Sequence, residues 1–356
     1  MKLNLAVDSG AFSLYRNKVP GAKTHIGFRQ ENAGVQANIL SRRDFSFFKG
    51  PVFRKYFDDY MAYCHQNKDH LVFYVALDAI YDPKLTWELT EEMVRNGLTP
   101  LPVTHTGEDL SWFKKYLDKY EYVGLGGMGL LSTKPNYTAF AKAAFKMLLD
   151  SKGRPTHKVH GFAMASNSLM AAFPWASVDA TSPFAQSRNG AILVPRPLFH
   201  QGKRVAWDFF SSPRIVAVTE RRATTPNFYQ RLPKQALACV LEFLAPLGFT
   251  DLSALGDEYA LRDFVNVYYT YCVQKAIQER NRTLYGDKWR FRFFLSGKPS
   301  AEEGVFLRTL PILKDVVIPE LNYLGTYWLP KPVNKFLTAT KTKTPNNEKR
   351  RPAIRA

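Results

Sequence analysis

Cysteine is scarce in this chain, and acid is outnumbered by base. Only Cys64, Cys239 and Cys272 occur in 356 residues, and no two of them form a CxxC pair. That scatter argues against a disulfide framework and against a structural zinc site, so buried thiols and no cofactor are expected. No run of about 18 apolar residues exists, which leaves no candidate membrane-spanning helix. The opening segment Met1-Lys2-Leu3-Asn4-Leu5-Ala6-Val7-Asp8 lacks the apolar core and small-residue cleavage site of a secretory signal. It reads as a strand, and a cytoplasmic location is expected. Asp and Glu number 31 against 49 Lys and Arg, a formal net charge of +18. So one-sided a balance implies a polyanionic partner, with nucleic acid ahead of an anionic membrane surface.

What is present is a well-packed globular composition, 46% hydrophobic with 14% aromatic, which excludes a largely disordered chain. Over the first 180 residues short apolar runs alternate with longer amphipathic ones. The runs predict strands over Leu3 to Val7, Leu71 to Leu77, Leu101 to Thr104, Tyr122 to Leu125, Lys158 to Phe162 and Ala176 to Val178. The amphipathic stretches predict helices over Phe53 to Gln66, Leu85 to Asn96, Leu110 to Tyr120, Tyr137 to Leu149 and Ser168 to Phe173. Asp109 and Ser166 stand where helix caps belong, and Asp82-Pro83 reads as a helix-start turn. Strand and helix in regular alternation predict parallel pairing with right-handed crossovers. The fold class expected is α/β, a TIM-type (β/α) barrel, with Arg214 to Thr219 supplying part of what the first six units leave open. An open doubly wound sheet fits less well, because Asp8-Ser9-Gly10-Ala11-Phe12 is no GxGxxG loop.

The expected organisation is a barrel over 1–225, a mainly helical region over 226–330 that completes or flanks it, and a flexible basic tail over 331–356. Lys234 to Leu244 and Leu261 to Arg282 are the long helices of the middle region. Trp289-Arg290-Phe291-Arg292-Phe293-Phe294 alternates cation and aromatic. It reads as an edge strand with a solvated face or, equally well, as a nucleic-acid contact. The tail carries eight Lys or Arg against the single acid Glu348, which suits sequence-independent phosphate binding.

In a barrel the strand C-termini converge on one face, and here they carry Asp8, Asp78, His105, Gly126-Gly127-Met128, His160 and Asp179. An aspartate ending a strand can cap the next helix. Several on one face point instead to paired-carboxylate chemistry, one attacking while another moves a proton. Asp78 can accept the N1–H and exocyclic amine of a guanine edge. Gly126 and Gly127 can offer backbone N–H groups to a carbonyl oxygen, Phe12 and Met128 can sandwich a flat ring, and His105 and His160 complete the base-binding set. Candidate nucleic-acid contacts are Arg188, Asn189, Arg196, Arg290 and Arg292.

These segments resemble the tRNA-guanine transglycosylases, a TIM-barrel family that swaps guanine for a 7-deazaguanine base. Asp8-Ser9-Gly10-Ala11-Phe12 is similar to the family's DSGGF/Y motif, and Gly126-Gly127-Met128 to its GGL turn. Val178-Asp179, Pro183 and Ser187-Arg188-Asn189-Gly190 are similar to its FD…PTR…RNG segment. The resemblance spans roughly residues 1–200. It implies that Asp179 is the nucleophile, Asp8 the general acid/base and Asp78 the base-reading carboxylate. It further implies that the Gly126 and Gly127 amides meet O6, that Phe12 stacks, and that His105 stands where the family has a Gln. The family's bacterial Cys3His zinc site has no counterpart here. The abbreviated chain is most similar to the phage-encoded DpdA group, implying exchange of guanine in DNA for a free preQ0-like base, with tRNA the alternative substrate. A DNA glycosylase or nucleosidase, with water in place of the incoming base, and a non-catalytic DNA-binding barrel are the other readings.

Overall fold

A computed structural model describes residues 2–11, 14, 45–79, 82–127, 134–296 and 320–326. Phe12, Met128 and the tail over 331–356 lie outside the described residues.

The chain opens on β1 (Lys2–Asp8). Proline starts α1 (Pro51–Asn67), which buries Phe53, Tyr56, Phe57, Tyr60 and Cys64 at helical spacing on one stripe. After β2 (Leu71–Tyr74), α2 (Pro83–Arg95) begins as expected, with Asp82 accepting the Leu85 amide at 3.0 Å and Pro83 where no donor is needed. Next come β3 (Val103–His105), α3 (Leu110–Leu117), capped by Asp109 on the Ser111 amide at 2.7 Å, and β4 (Tyr122–Gly126). The series continues with α4 (Lys134–Met147), β5 (Lys158–Gly161), α5 (Asn167–Ala172), β6 (Ser177–Ala180) and α6 (Ser182–Arg188). Ser166 holds the cap position of α5, but its hydroxyl meets Ser168 Oγ at 3.1 Å instead of a helix amide.

Two small antiparallel pairs follow, formed by β7 (Ala191–Val194) with β10 (Arg214–Ala217) and by β8 (Arg196–His200) with β9 (Lys203–Asp208). Helices α7 (Lys234–Leu244), α8 (Ser253–Asp257) and α9 (Tyr259–Tyr285) lead into β11 (Arg292–Ser296) and β12 (Glu320–Thr326).

Eight strands form one parallel sheet in the order β2-β1-β12-β11-β6-β5-β4-β3. The sheet is curled. Just beyond β2 and just before β3, Val75 pairs with Leu101, the Ala76 amide donating to the Leu101 carbonyl and the Leu101 amide to that of Tyr74, both at 2.8 Å. The edge strands thus touch, and the architecture is α/β and barrel-like, with helices outside.

Two sequence expectations are corrected. Arg214 to Thr219 does not enter the main sheet, and the strands that follow β6 around the curl are β11 and β12. A parallel strand in such a sheet is covered on both faces. Phe293, Phe294 and Leu295 are buried in succession, whereas Ile215 in β10 is exposed. Nor is the 289–294 segment an edge, since β11 lies between β6 and β12.

Inside the curl, alternate residues form layers. At the strand starts Asn4 donates to Asn322 Oδ1 at 2.9 Å, and the Tyr122 hydroxyl meets Ser177 Oγ. Above them Ala6, Phe73, Val75, Leu101, Val103, Phe294 and Leu324 make an apolar layer. The next inward positions, at the strand ends, are Asp8, His105, Gly126, Asp179 and Ser296.

Candidate active site

The apolar layer is a floor that denies water to the groups above it, and carboxylates gathered there interact strongly. Asp78 and Asp179 are close enough to Asp8 to perturb it. Desolvation, then the charges of Asp78 and Asp179, push the Asp8 carboxyl up to about 7, against the opposing pull of the Gly10 and Ser9 amides. A carboxyl in that range holds its proton part of the time at neutral pH, as a proton shuttle requires.

Asp179 is fixed from two sides. Its Oδ1 accepts the Ala163 amide at 2.9 Å, and its Oδ2 accepts the Ser296 hydroxyl at 2.8 Å. Ala163 has φ 53°, the left-handed region that an alanine adopts at a cost, so the loop after β5 spends strain to aim this amide. His160 Nε2 lies 3.4 Å from Asp179 Oδ1, and its Nδ1 meets Ser177 Oγ. The imidazole is fully buried beneath the carboxylates, with the Phe162 and Phe73 rings at 4.4 and 5.0 Å between centroids. Proposed from sequence as a base contact, His160 is instead placed under Asp179.

Asp78 accepts the Ser9 hydroxyl at 3.3 Å on Oδ1 and faces His105 Nε2 at 3.2 Å on Oδ2. His105 Nδ1 faces Glu108 Oε1 at 3.2 Å, and the other Glu108 oxygen accepts the His105 amide at 2.9 Å. Burial opposes a charge on this ring, but Glu108 and Asp78 outweigh it and push His105 up to about 10. An imidazolium between two carboxylates is therefore the resting state. It orients Asp78 and partly neutralises the acidic cluster.

Gly126 lies opposite His105 in the β3–β4 register, and a Cβ there would stand 2.8 Å from His105 Cδ2. Gly127 has φ +91°, where an added Cβ would meet Thr106 atoms at 3.1 to 3.2 Å. The Gly126 carbonyl is taken by the amide and hydroxyl of Thr106, each at 3.1 Å. The glycines are thus also needed to seat His105 and Thr106. Tyr56 and Tyr60 of α1 brace the site from outside, donating to the Ser9 and Val75 carbonyls at 2.8 and 2.7 Å.

Of the sequence candidates, Asp8, Asp78, His105, Gly126, Gly127, His160 and Asp179 come together. Arg188 and Asn189 lie at the far end of α6, and Arg196 bonds the Ser212 carbonyl at the base of the β8–β9 hairpin. Arg292 starts β11 beside Glu320 at 3.8 Å, and Arg290 precedes it, both at the strand end opposite Asp179. Ser9 and Glu108 lie in segments the sequence singles out but carried no assigned role, and Ala163 and Ser296 were not among the candidates. Ser296 ends an apolar run and the strand-end rule would have found it. Ala163 contributes only a backbone amide, for which no side-chain signal exists.

The arrangement supplies a held carboxylate for attack, a neighbouring carboxyl poised to exchange a proton, and a third carboxylate locked beside an imidazolium. Among the described residues no group of three or more His, Cys, Asp or Glu is arranged to hold a metal ion, and no helix is long and apolar enough to cross a membrane. Comparison with protein-family models, with curated proteins and with solved structures gave no match.

Proposed function

We propose that this chain is a base-exchanging glycosyltransferase on a TIM-type (β/α) barrel, swapping guanine in DNA for a free preQ0-like 7-deazaguanine base. The observation that carries the reading is the meeting of Asp8, Asp78 and Asp179 at the strand ends, with Asp8 raised to about 7. In this scheme Asp179 attacks C1′ of the deoxyribose, and the C1′–N9 bond breaks with its electron pair leaving on guanine. Asp8 gives its proton to the departing base. The incoming base then returns a proton to Asp8 as its own N9 displaces Asp179 from C1′. Two displacements at one carbon retain the configuration.

Asp78, oriented by His105 and Ser9, accepts the N1–H and exocyclic amine of guanine, and the Gly126-Gly127 turn faces O6. The +18 charge suits a nucleic-acid substrate, and the attack on C1′ requires the target nucleotide to be flipped out or already unpaired. A cytoplasmic site of action follows from such a substrate. The test is incubation with radiolabelled guanine and duplex DNA, single-stranded DNA or tRNA, scoring which polymer takes up label. Labelled DNA is expected. Labelled tRNA alone would move the substrate but keep the chemistry, and release of guanine without uptake would make the chain a glycosylase.

A further inference from the structure

The C-terminal end of α6 is surrounded by more positive charge than it needs. Three successive carbonyls each receive an arginine: Ser187 from Arg262 Nε at 3.1 Å, Arg188 from Arg221, and Asn189 from Arg222 at 3.2 Å. Basic side chains often cap a helix this way. A full helix dipole, however, presents only about half a negative charge, and α6 has seven residues. Asp263 and Glu258 act on Arg262, so the surplus rests on Arg221 and Arg222. Arg262 is buried and spends further N–H groups on the Leu255 and Gly256 carbonyls at 2.6 and 2.9 Å. Its guanidinium is pushed below the ordinary range, first by burial and then by the charge of Arg221. Arg221 and Arg222 each give one N–H to these carbonyls, of the five a guanidinium carries.

Beside them is an open recess of about 520 Å³, lined by Gln186, Asn189, Ile215, Arg221, Arg222 and Asn227. Two cations and three amides line it, and among the described residues no carboxylate does. Guanidiniums already fixed by backbone carbonyls lose little freedom on binding an anion, and their planar forks match phosphate oxygens.

We propose that this recess is a phosphate-binding site, Arg221 and Arg222 holding the phosphate and Gln186 and Asn227 bordering it. Helix α6 starts three residues after Asp179 and spans about 10 Å. A nucleic-acid strand crossing the strand ends can therefore reach the recess with a backbone phosphate. Free phosphate would use the same groups.

The test titrates the full chain with inorganic phosphate and with a short single-stranded oligonucleotide at several salt concentrations. Gln186→Glu places a carboxylate in the recess and leaves all three arginine anchors intact. It should weaken phosphate binding about tenfold, and lower the slope of log oligonucleotide affinity against log salt by about one. Loss of phosphate binding with unchanged oligonucleotide binding assigns the site to free phosphate. No change with either probe overturns the proposal. Arg222→Lys keeps the charge and loses the fork. A lower melting temperature with full phosphate affinity in that variant would reduce Arg222 to a helix cap and also overturn it. Neither readout depends on base exchange.

Discussion

His160 and Asp179 are stacked as floor and site: Nε2 of the buried ring lies 3.4 Å below Asp179 Oδ1, and its other nitrogen meets Ser177 Oγ, which in turn meets the Tyr122 hydroxyl. This polar column runs up through an otherwise apolar layer. Groups so buried are costly to leave unpartnered. His160→Leu keeps bulk but takes one of Ser177's two side-chain partners, leaving Tyr122, and removes the imidazole beneath Asp179. It should cost about 1–3 kcal/mol, read as a lowered urea midpoint, and lower kcat more than it changes KM for guanine. A variant of parental stability would show that the column does not support the fold.

Asp179 should be indispensable to the proposed exchange. Asp179→Asn retains a side chain of the same shape, whose single oxygen can still accept the Ala163 amide while its NH2 donates to the Ser296 hydroxyl. Exchange should fall by about a thousandfold or more, while oligonucleotide binding holds. Residual exchange well above that level would remove Asp179 from the attacking role.

Asp8 links activity and stability to pH. Its folded value of about 7 lies above its ordinary 3.8, so the folded chain keeps a proton that the unfolded chain releases. The contribution to stability is complete below the ordinary value and is lost as pH rises through 7, by at most about 1.4 kcal/mol per pH unit. Asp8→Asn should therefore gain stability over the parent at pH 8 and show little difference at pH 4, in paired thermal melts. The same variant should lose the inflection near pH 7 from the exchange profile. Parallel melting curves at both pH values would contradict the clustering of carboxylates around Asp8.

Gly126 tests the seat of His105. In Gly126→Ala the new methyl would stand 2.8 Å from the ring, which must leave its line between Asp78 and Glu108. Overpacking of this kind costs about 1–3 kcal/mol. Guanine affinity should fall with stability, because Asp78 loses the group that orients it. The imidazole proton resonances are expected to titrate near pH 10 in the parent and to shift toward the ordinary histidine range in the variant. Unaltered titration would mean that the ring does not move.

Six strands and their helices are legible in the sequence because each has a local signature: an apolar run with a turn behind it, or a stripe with a cap such as Asp82 or Asp109. Of the last two strands of the sheet, β11 reads as a strand but at an edge, and β12 does not read as one at all. Leu321 and Leu324 are flanked by Asn322 and Tyr323, and β12 finds its partner β1 at the other end of the chain. The strand-end aspartates were legible singly, by type and position. What each touches was not, since Asp8 and Asp179 face one another only after β12 and β11 are inserted between β1 and β6.

The sequence by itself determined the alternation of strand and helix, the excess of positive charge and the supply of carboxylates at strand ends, because these depend on residue type and short-range periodicity. The tertiary structure alone decided the rest. Asp8 is raised by neighbours from distant strands, and His105 is charged because Glu108 and Asp78 close on it from different loops. Ala163 is bent into the left-handed region to offer an amide, and His160 is buried beneath Asp179. Except for the local His105–Glu108 pair, these are through-space relations between groups far apart in the chain. Coulombic coupling and burial depend on distance in the folded molecule, which periodicity along the sequence does not encode.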